Sequence, residues 1–288
     1  MKEPWLDPDQ GKTVLWMMQQ CKAIADGLFA IHHYETATDA KRTDPMNRLY
    51  GRHGDLKPEN LLWFRDKDSG DADTTRGMFK ISDLGLTRFH KLESRSNVDP
   101  ASISGSPTYM PPECELRSPV SRAYDIWSLG CIFLECITWL LRGREGVEEF
   151  ARFRSVNVGD LQDDKFYTVQ GYKSTKVRSA VLRPSVTLWN ETLPEDPMST
   201  TCIIDFLKLV QDSLLVPDPK HRIGAKDIVG ALSEMLERAR SDPGYISTAH
   251  HRHTSRANNA PHDHRQRPLR RVQIRNRERK DMPQNRSI

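Results

Sequence analysis

Residues 53–60 read HGDLKPEN, and residues 78–85 read MFKISDLG, an apolar run that turns into an acidic one. Asp55, Asn60 and Asp83 bring side-chain oxygens, and Lys57 sets an ammonium two residues from the first carboxylate. Three more stretches follow in order: GSPTYMPPE at 105–113, DIWSLG at 125–130 and PDPKHRIGA at 217–225. Between 53–60 and 78–85, the apolar runs LLWF (61–64) and MFKI (78–81) flank the polar stretch RDKDSGDADTTRG (65–77), which reads as a hairpin with a lengthened loop.

Together these stretches resemble the signature of the protein kinases: H-R-D-L-x-x-x-N, then D-F-G, then A-P-E. The resemblance covers residues 53–225 and includes a D-x-W-S-x-G helix start at Asp125 and a late arginine, Arg222. It implies an α+β, mostly α fold, the protein-kinase-like C-terminal lobe, and Mg2+-dependent transfer of phosphate from ATP to a protein hydroxyl. Such transfer asks little covalent work of the protein: a carboxylate to orient the attacking hydroxyl and oxygen ligands to hold Mg2+ on the phosphates. By this resemblance Asp55 is the catalytic base, and Lys57 is the cation that steadies the transferring phosphoryl group. Asn60 and Asp83 are the Mg2+ ligands and, with Lys57, the nucleotide contacts. His53, Gly85, Ser106, Glu113, Asp125 and Arg222 form the structural set. Within it Gly85 frees the turn that aims Asp83 inward, Ser106 bridges Asp55 and Lys57, and Arg222 pairs with Glu113 in a partly buried ion pair.

Lys57 and the segment 105–109 resemble the serine/threonine class. HGDLKPENLLWF with SRAYDIWSLGCIFLECITWLL resembles a fungal set of kinase-domain proteins. Leu84 stands where the family has Phe, and Gly54 where most members carry an Arg that binds phosphate on the activation segment. That difference predicts weak switching by phosphorylation at Ser94, Ser96, Ser102 or Ser104.

A kinase also needs a glycine-rich loop over the phosphates and a strand lysine. No two of the sixteen glycines are separated by a single residue, so the sequence contains no G-x-G-x-x-G. Val14, Leu15, Met17, Met18, Cys21, Ile24, Ala25, Leu28 and Ile31 recur instead at helical spacing, one face of a helix of about five turns. The resemblance makes this the long helix upstream of the catalytic loop and predicts that the N-terminal lobe is absent. Losing half the adenine pocket costs several kcal/mol of affinity, at about 1.4 kcal/mol per tenfold. Three explanations follow: a shortened reading of an active kinase gene, a lobe-only binding module, or a partner that supplies the missing lobe. The expected function is a protein serine/threonine kinase catalytic lobe with little turnover by itself. The alternative is a non-catalytic kinase-like scaffold.

With 37% hydrophobic residues over 288 positions the chain can bury one core, read as a kinase domain at 1–240 and a basic disordered tail at 241–288. The tail holds eleven Lys and Arg against four Asp and Glu, a net of +7, while the whole chain is +4. Residues 1–240 are therefore −3, and the basicity belongs to the tail. It lacks interleaved aromatics, so nucleic acid is not an expected partner; a protein substrate is. Five cysteines without C-x-x-C spacing, together with an N-terminus that opens no signal peptide, read as reduced thiols in an intracellular protein, cytoplasmic or nuclear. The most apolar stretch, 126–141, contains Ser128 and Glu135 and falls short of a membrane span; it reads as the buried central helix. Residues 35–52 read as a polar insertion, 203–210 as an apolar helix ended by Pro217-Asp218-Pro219, and 225–240 as the last helix. Residues 142–200 carry no motif.

Overall fold

The computed structural model describes residues 10–34, 49–64, 77–91, 105–159, 161–171 and 178–247. The first helix, α1 (Gln10–His32), buries Val14, Met17, Met18, Cys21, Ile24, Ala25 and Leu28, most of the face expected from the spacing. Two antiparallel ribbons follow, one nested inside the other. Strand β1 (Leu49–Arg52) pairs with β4 (Arg88–Lys91), and between them β2 (Leu61–Phe64) pairs with β3 (Met78–Ile81), Leu61 opposite Ile81 and Phe64 opposite Met78. The hairpin is where the sequence put it, although residues 65–76 lie outside the described residues. The reading of 35–52 as insertion is corrected at its end: residues 49–52 are a strand, with a ladder partner at 88–91 that polar composition does not reveal.

Gln20 of α1 fixes the inner ribbon. Its amide nitrogen donates to the Gly77 carbonyl (3.1 Å) and its amide oxygen accepts from the Phe79 amide (2.9 Å). The loop 53–60 between β1 and β2 is thereby suspended between α1 and two short ribbons.

Beyond the short helix α2 (Pro112–Glu115) runs α3 (Ala123–Arg154), whose stretch 126–134 is buried all round and accordingly central. Trp127, Leu129, Cys131, Phe133, Leu134 and Ile137 are all fully buried. Its composition would let it cross a bilayer, but 78% of its most apolar window is buried in the core. Gly143 (φ 66°, ψ −165°) interrupts it, so α3 is two helical segments joined at a kink, extending well past the expected residue 141.

The described residues of the stretch without a motif form regular elements. Hairpins β5 (Val156–Val158) with β6 (Leu161–Asp163) and β7 (Tyr167–Gln170) with β8 (Ser179–Leu182) lead into α4 (Pro184–Thr192). Arg183 ties them together: it donates to the carbonyls of Arg154, Asp163 and Tyr167 and pairs with the Asp163 carboxylate at 3.1 Å. Helix α5 (Thr201–Leu209), started by Thr200 accepting from the Ile203 amide, continues as a wider turn through Val210–Leu214. The last helix, α6 (Ala225–Ser241), packs along α1. The core continues past the expected end at 240: Tyr245 is buried, its carbonyl accepting from the Cys202 amide and its hydroxyl donating to Asp205. The tail beyond 247 lies outside the described residues.

Candidate active site

The fixed point of the site is Asp125, at the start of α3 and fully buried. Its Oδ2 accepts from the His53 amide (2.8 Å) and lies 2.9 Å from His32 Nε2; its Oδ1 accepts from the Gly54 amide (2.9 Å). Burial opposes ionisation of this carboxyl, but the His32 imidazole and the two amides outweigh it and hold it below the usual carboxylate range. Gly54 passes through φ 84°, where a side chain is strained, so the backbone can turn both amides onto one carboxylate.

That turn delivers Asp55, nearly buried. Its Oδ2 meets Lys57 Nζ at 2.8 Å and its Oδ1 accepts from the Ser106 amide at 2.9 Å. Burial pushes the Asp55 carboxyl up; the Lys57 ammonium and the Ser106 amide push it down further, so it stays ionised near neutral pH. Lys57 in turn donates to Ser106 Oγ (2.9 Å), and its proton is held more tightly, chiefly by Asp55. Ser106 therefore joins the two, with its hydroxyl on Lys57 and its amide on Asp55. The approach is close because Gly105 precedes it: a Cβ there would stand 2.5 Å from the Tyr124 hydroxyl and 3.2 Å from the Gly54 carbonyl.

Asn60, buried behind Pro58 and Glu59, donates from Nδ2 to the Asp55 carbonyl (2.8 Å) and, more weakly, to Asp55 Oδ2 (3.3 Å). Its Oδ1 makes no hydrogen bond among the described residues. The Asp83 turn is joined to Asn60 through the backbone, since both the amide and the hydroxyl of Ser82 donate to the Asn60 carbonyl. His53 adds a second link: its Nε2 donates to the Ser82 carbonyl (3.0 Å) while Nδ1 accepts from the Asp55 amide (3.3 Å), a pattern that one neutral tautomer satisfies.

The turn itself corrects the sequence reading. The unusual backbone belongs to Asp83 (φ 58°, ψ 69°), not to Gly85, and the Asp83 carboxylate is exposed rather than aimed inward. Gly85 contributes its amide, which donates to Asp83 Oδ1 at 3.2 Å. An Asp tolerates the left-handed region because its carboxylate can bond to the backbone two residues on.

Glu113 and Arg222 form a bidentate pair at 2.8 Å on both arms, with side chains 1% and 0% exposed. The pair is thus wholly, not partly, buried. Sequence reasoning missed a second buried pair, Glu135 with Arg154 at 2.8 Å, to which the Tyr109 hydroxyl also donates (2.9 Å). Burial pushes the Glu135 carboxyl up, with Arg154 and Tyr109 opposing. The available signal was Glu135 itself, a lone acid in an apolar run that needs a buried partner. Arg52 was also missed; it is buried over the Tyr124 ring at 5.6 Å.

Among the described residues no cluster of three or more His, Cys, Asp or Glu exists to hold a metal. Asn60 Oδ1 and the Asp83 carboxylate are two hard oxygens, which fits Mg2+, an ion that keeps waters and shares its shell with phosphate oxygens.

The protein kinase domain family matches residues 49–231, well over half the chain. Serine/threonine-protein kinase ULK1 of Homo sapiens is 35% identical over 139 residues, 45% of this chain and 13% of the human protein. Mitogen-activated protein kinase kinase 1 of Arabidopsis thaliana is 36% identical over 118 residues, 41% of this chain and 26% of the plant protein. Serine/threonine-protein kinase unc-51 of Caenorhabditis elegans is 34% identical over 99 residues, 34% of this chain and 11% of the worm protein. The chain thus spans about a quarter or less of these relatives' lengths.

Proposed function

Because the chain belongs to the protein kinase family, we propose that it is the catalytic lobe of a serine/threonine kinase that transfers the γ-phosphate of Mg-ATP to a protein hydroxyl. The observation that carries this reading is the Asp55–Lys57–Ser106 junction: an ionised carboxylate and an ammonium at 2.8 Å, both hydrogen-bonded to Ser106. Asp55 orients the acceptor hydroxyl and takes its proton. Lys57, already hydrogen-bonded to Ser106, offsets charge on the phosphoryl oxygens. Asn60 and Asp83 hold Mg2+, which supplies charge neutralisation on the phosphates when bound.

The nucleotide's base is proposed to rest on the outer face of the β2–β3 ribbon. Leu62 (46% exposed) and Phe64 alternate onto that face, and Leu84 (55% exposed) stands at the Asp83 turn. Apolar side chains so exposed, next to the metal-ligand candidates, support a surface that something covers. With no G-x-G-x-x-G in the sequence, the covering lobe is proposed to come from outside these 288 residues, in the same polypeptide or a partner chain. The free cysteines support an intracellular setting. The second reading, a kinase-like scaffold, draws on the same missing loop.

The test is transfer of labelled γ-phosphate from Mg-ATP to a mixture of serine and threonine peptides. Transfer that is lost in Asp55→Asn and Lys57→Ala, with melting temperatures unchanged, supports the catalytic reading. Equal transfer by Asp55→Asn sinks the role of Asp55, and no transfer by any form leaves the scaffold reading for this chain.

A further inference from the structure

Two cysteines meet where α1 packs on the central helix α3. Met17 and Ile24, one turn before and one turn after Cys21, line a cleft of about 760 Å³ from the α1 side. Ile132 and Trp139 stand in the same relation to Cys136 and line it from α3. Cys21 and Cys136 therefore lie on the two helix faces that look at each other across this seam. Cys136 is half-buried and itself part of the cleft wall, whereas Cys21 lies behind it with 0% exposure. Burial, and then the Cys136 thiol within hydrogen-bonding reach, push the Cys21 thiol well above its usual range, so it waits protonated. The other three cysteines have no such place. Cys131 is fully buried, and burial pushes Cys114 and Cys202 up to about 12.

A thiol open to a cleft with a second thiol directly behind it is the arrangement of an oxidisable cysteine and its resolving partner. We propose that Cys136 is a site of oxidation by hydrogen peroxide and that Cys21 resolves it, the two closing a reversible disulfide between α1 and α3. The Cys136 thiolate attacks one peroxide oxygen and the O–O bond breaks; hydroxide leaves, takes up the thiol's proton as water, and Cys136 becomes a sulfenic acid. The Cys21 sulfur then attacks the Cys136 sulfur, the S–O bond breaks, and the departing hydroxide takes the Cys21 proton. Two thiols and one peroxide give one disulfide and two waters, the electron pair passing from sulfur to oxygen. A transient bond of this kind is the form disulfides take among otherwise reduced thiols. It encloses residues 22–135, and with them every site residue from His53 to Asp125. It also ties the turn of α1 that carries Gln20, and so the inner ribbon, to the helix that carries Asp125.

The experiment treats the full chain with hydrogen peroxide, blocks remaining thiols with N-ethylmaleimide in denaturant, and maps the non-reduced peptides by mass after cleavage by trypsin and at glutamate. Cutting after Glu135 separates Cys131 from Cys136. The expected product is a monomer in which the Cys21 and Cys136 peptides are joined, with Cys114, Cys131 and Cys202 still blocked by maleimide. Its melting temperature is several degrees higher, because so long a closed loop restricts the unfolded chain, and dithiothreitol reverses both changes. In Cys21→Ala the sulfenic acid has no resolving thiol, so its dimedone adduct on Cys136 rises about tenfold or more over the unaltered chain. Oxidation of Cys136 while Cys21 stays free to react, a link from Cys136 to any other cysteine, or no loss of either thiol at millimolar peroxide overturns the proposal. The mapping of the unaltered chain decides by itself should the variant fail to fold. Neither ATP nor transfer enters the readout, so its failure leaves the kinase reading standing.

Discussion

All five N–H groups of Arg222 find acceptors: two on the Glu113 carboxylate and the others on the carbonyls of Val216, Pro217 and Ala123. Its guanidinium also lies 5.1 Å from the centre of the Trp127 ring. Removing it leaves Glu113 buried and unpaired, so Arg222→Ala lowers unfolding free energy by about 3 kcal/mol or more in urea; a loss under about 1 kcal/mol contradicts the pairing. Arg222→Lys does not restore it, because a point charge cannot serve five acceptors in a plane. Glu113 and Arg222 were legible because each sits inside a motif of fixed spacing. Arg154, Arg183 and Arg52 were not, since their partners are mostly backbone carbonyls, rings or residues distant in sequence, and such geometry leaves no local pattern.

Helices and ribbons were legible where hydrophobic period and turn residues agreed, as in α1 and the β2–β3 hairpin. The β1–β4 ribbon was not, because its partners stand 36 to 42 residues apart and pairing at that range leaves no local signal. Gln20, the α1 side chain that hydrogen-bonds the inner ribbon on both its amide atoms, gives a test at this scale. Gln20→Met keeps the volume but strands the Phe79 N–H and the Gly77 carbonyl, a cost of about 1–3 kcal/mol. Hydrogen exchange should then quicken at the amides of β2 and β3 while α6 remains protected; uniform exchange would show that the ribbon is held by something else. The kink at Gly143 explains why the central helix outran its expected end: the chain changes direction there, and Phe150 and Arg154 on the second segment return to the core.

Across the whole molecule, Asp55, Asp125 and Asp163 are all held below the ordinary carboxylate range, burial opposing and hydrogen bonds or cations prevailing. Their stabilisation is present above the unfolded value near about 3.9. It is lost as pH falls through the folded values, since the unfolded chain binds protons first. Glu135, raised by burial, acts in the opposite sense and partly offsets them. The melting temperature should therefore hold down to about pH 5 and drop as pH falls from there to below about pH 3, less steeply in Asp125→Asn; a flat profile would mean these carboxylates are not the ones folding depends on.

The fold class and the order of catalytic motifs came from the sequence because phosphoryl transfer tolerates few residue types at those positions. The exposed left-handed Asp83 did not, because its conformation depends on what surrounds the turn. The central claim is that Asn60 and Asp83 still present a metal and phosphate site. Its most direct measurement is the melting temperature of the chain titrated with Mg-ATP, with Asp83→Asn as the control. A saturable rise of about 3 °C or more is expected at tenfold excess over Kd, absent in the control and without Mg2+. No rise up to several millimolar, or the same rise in Asp83→Asn, would contradict it.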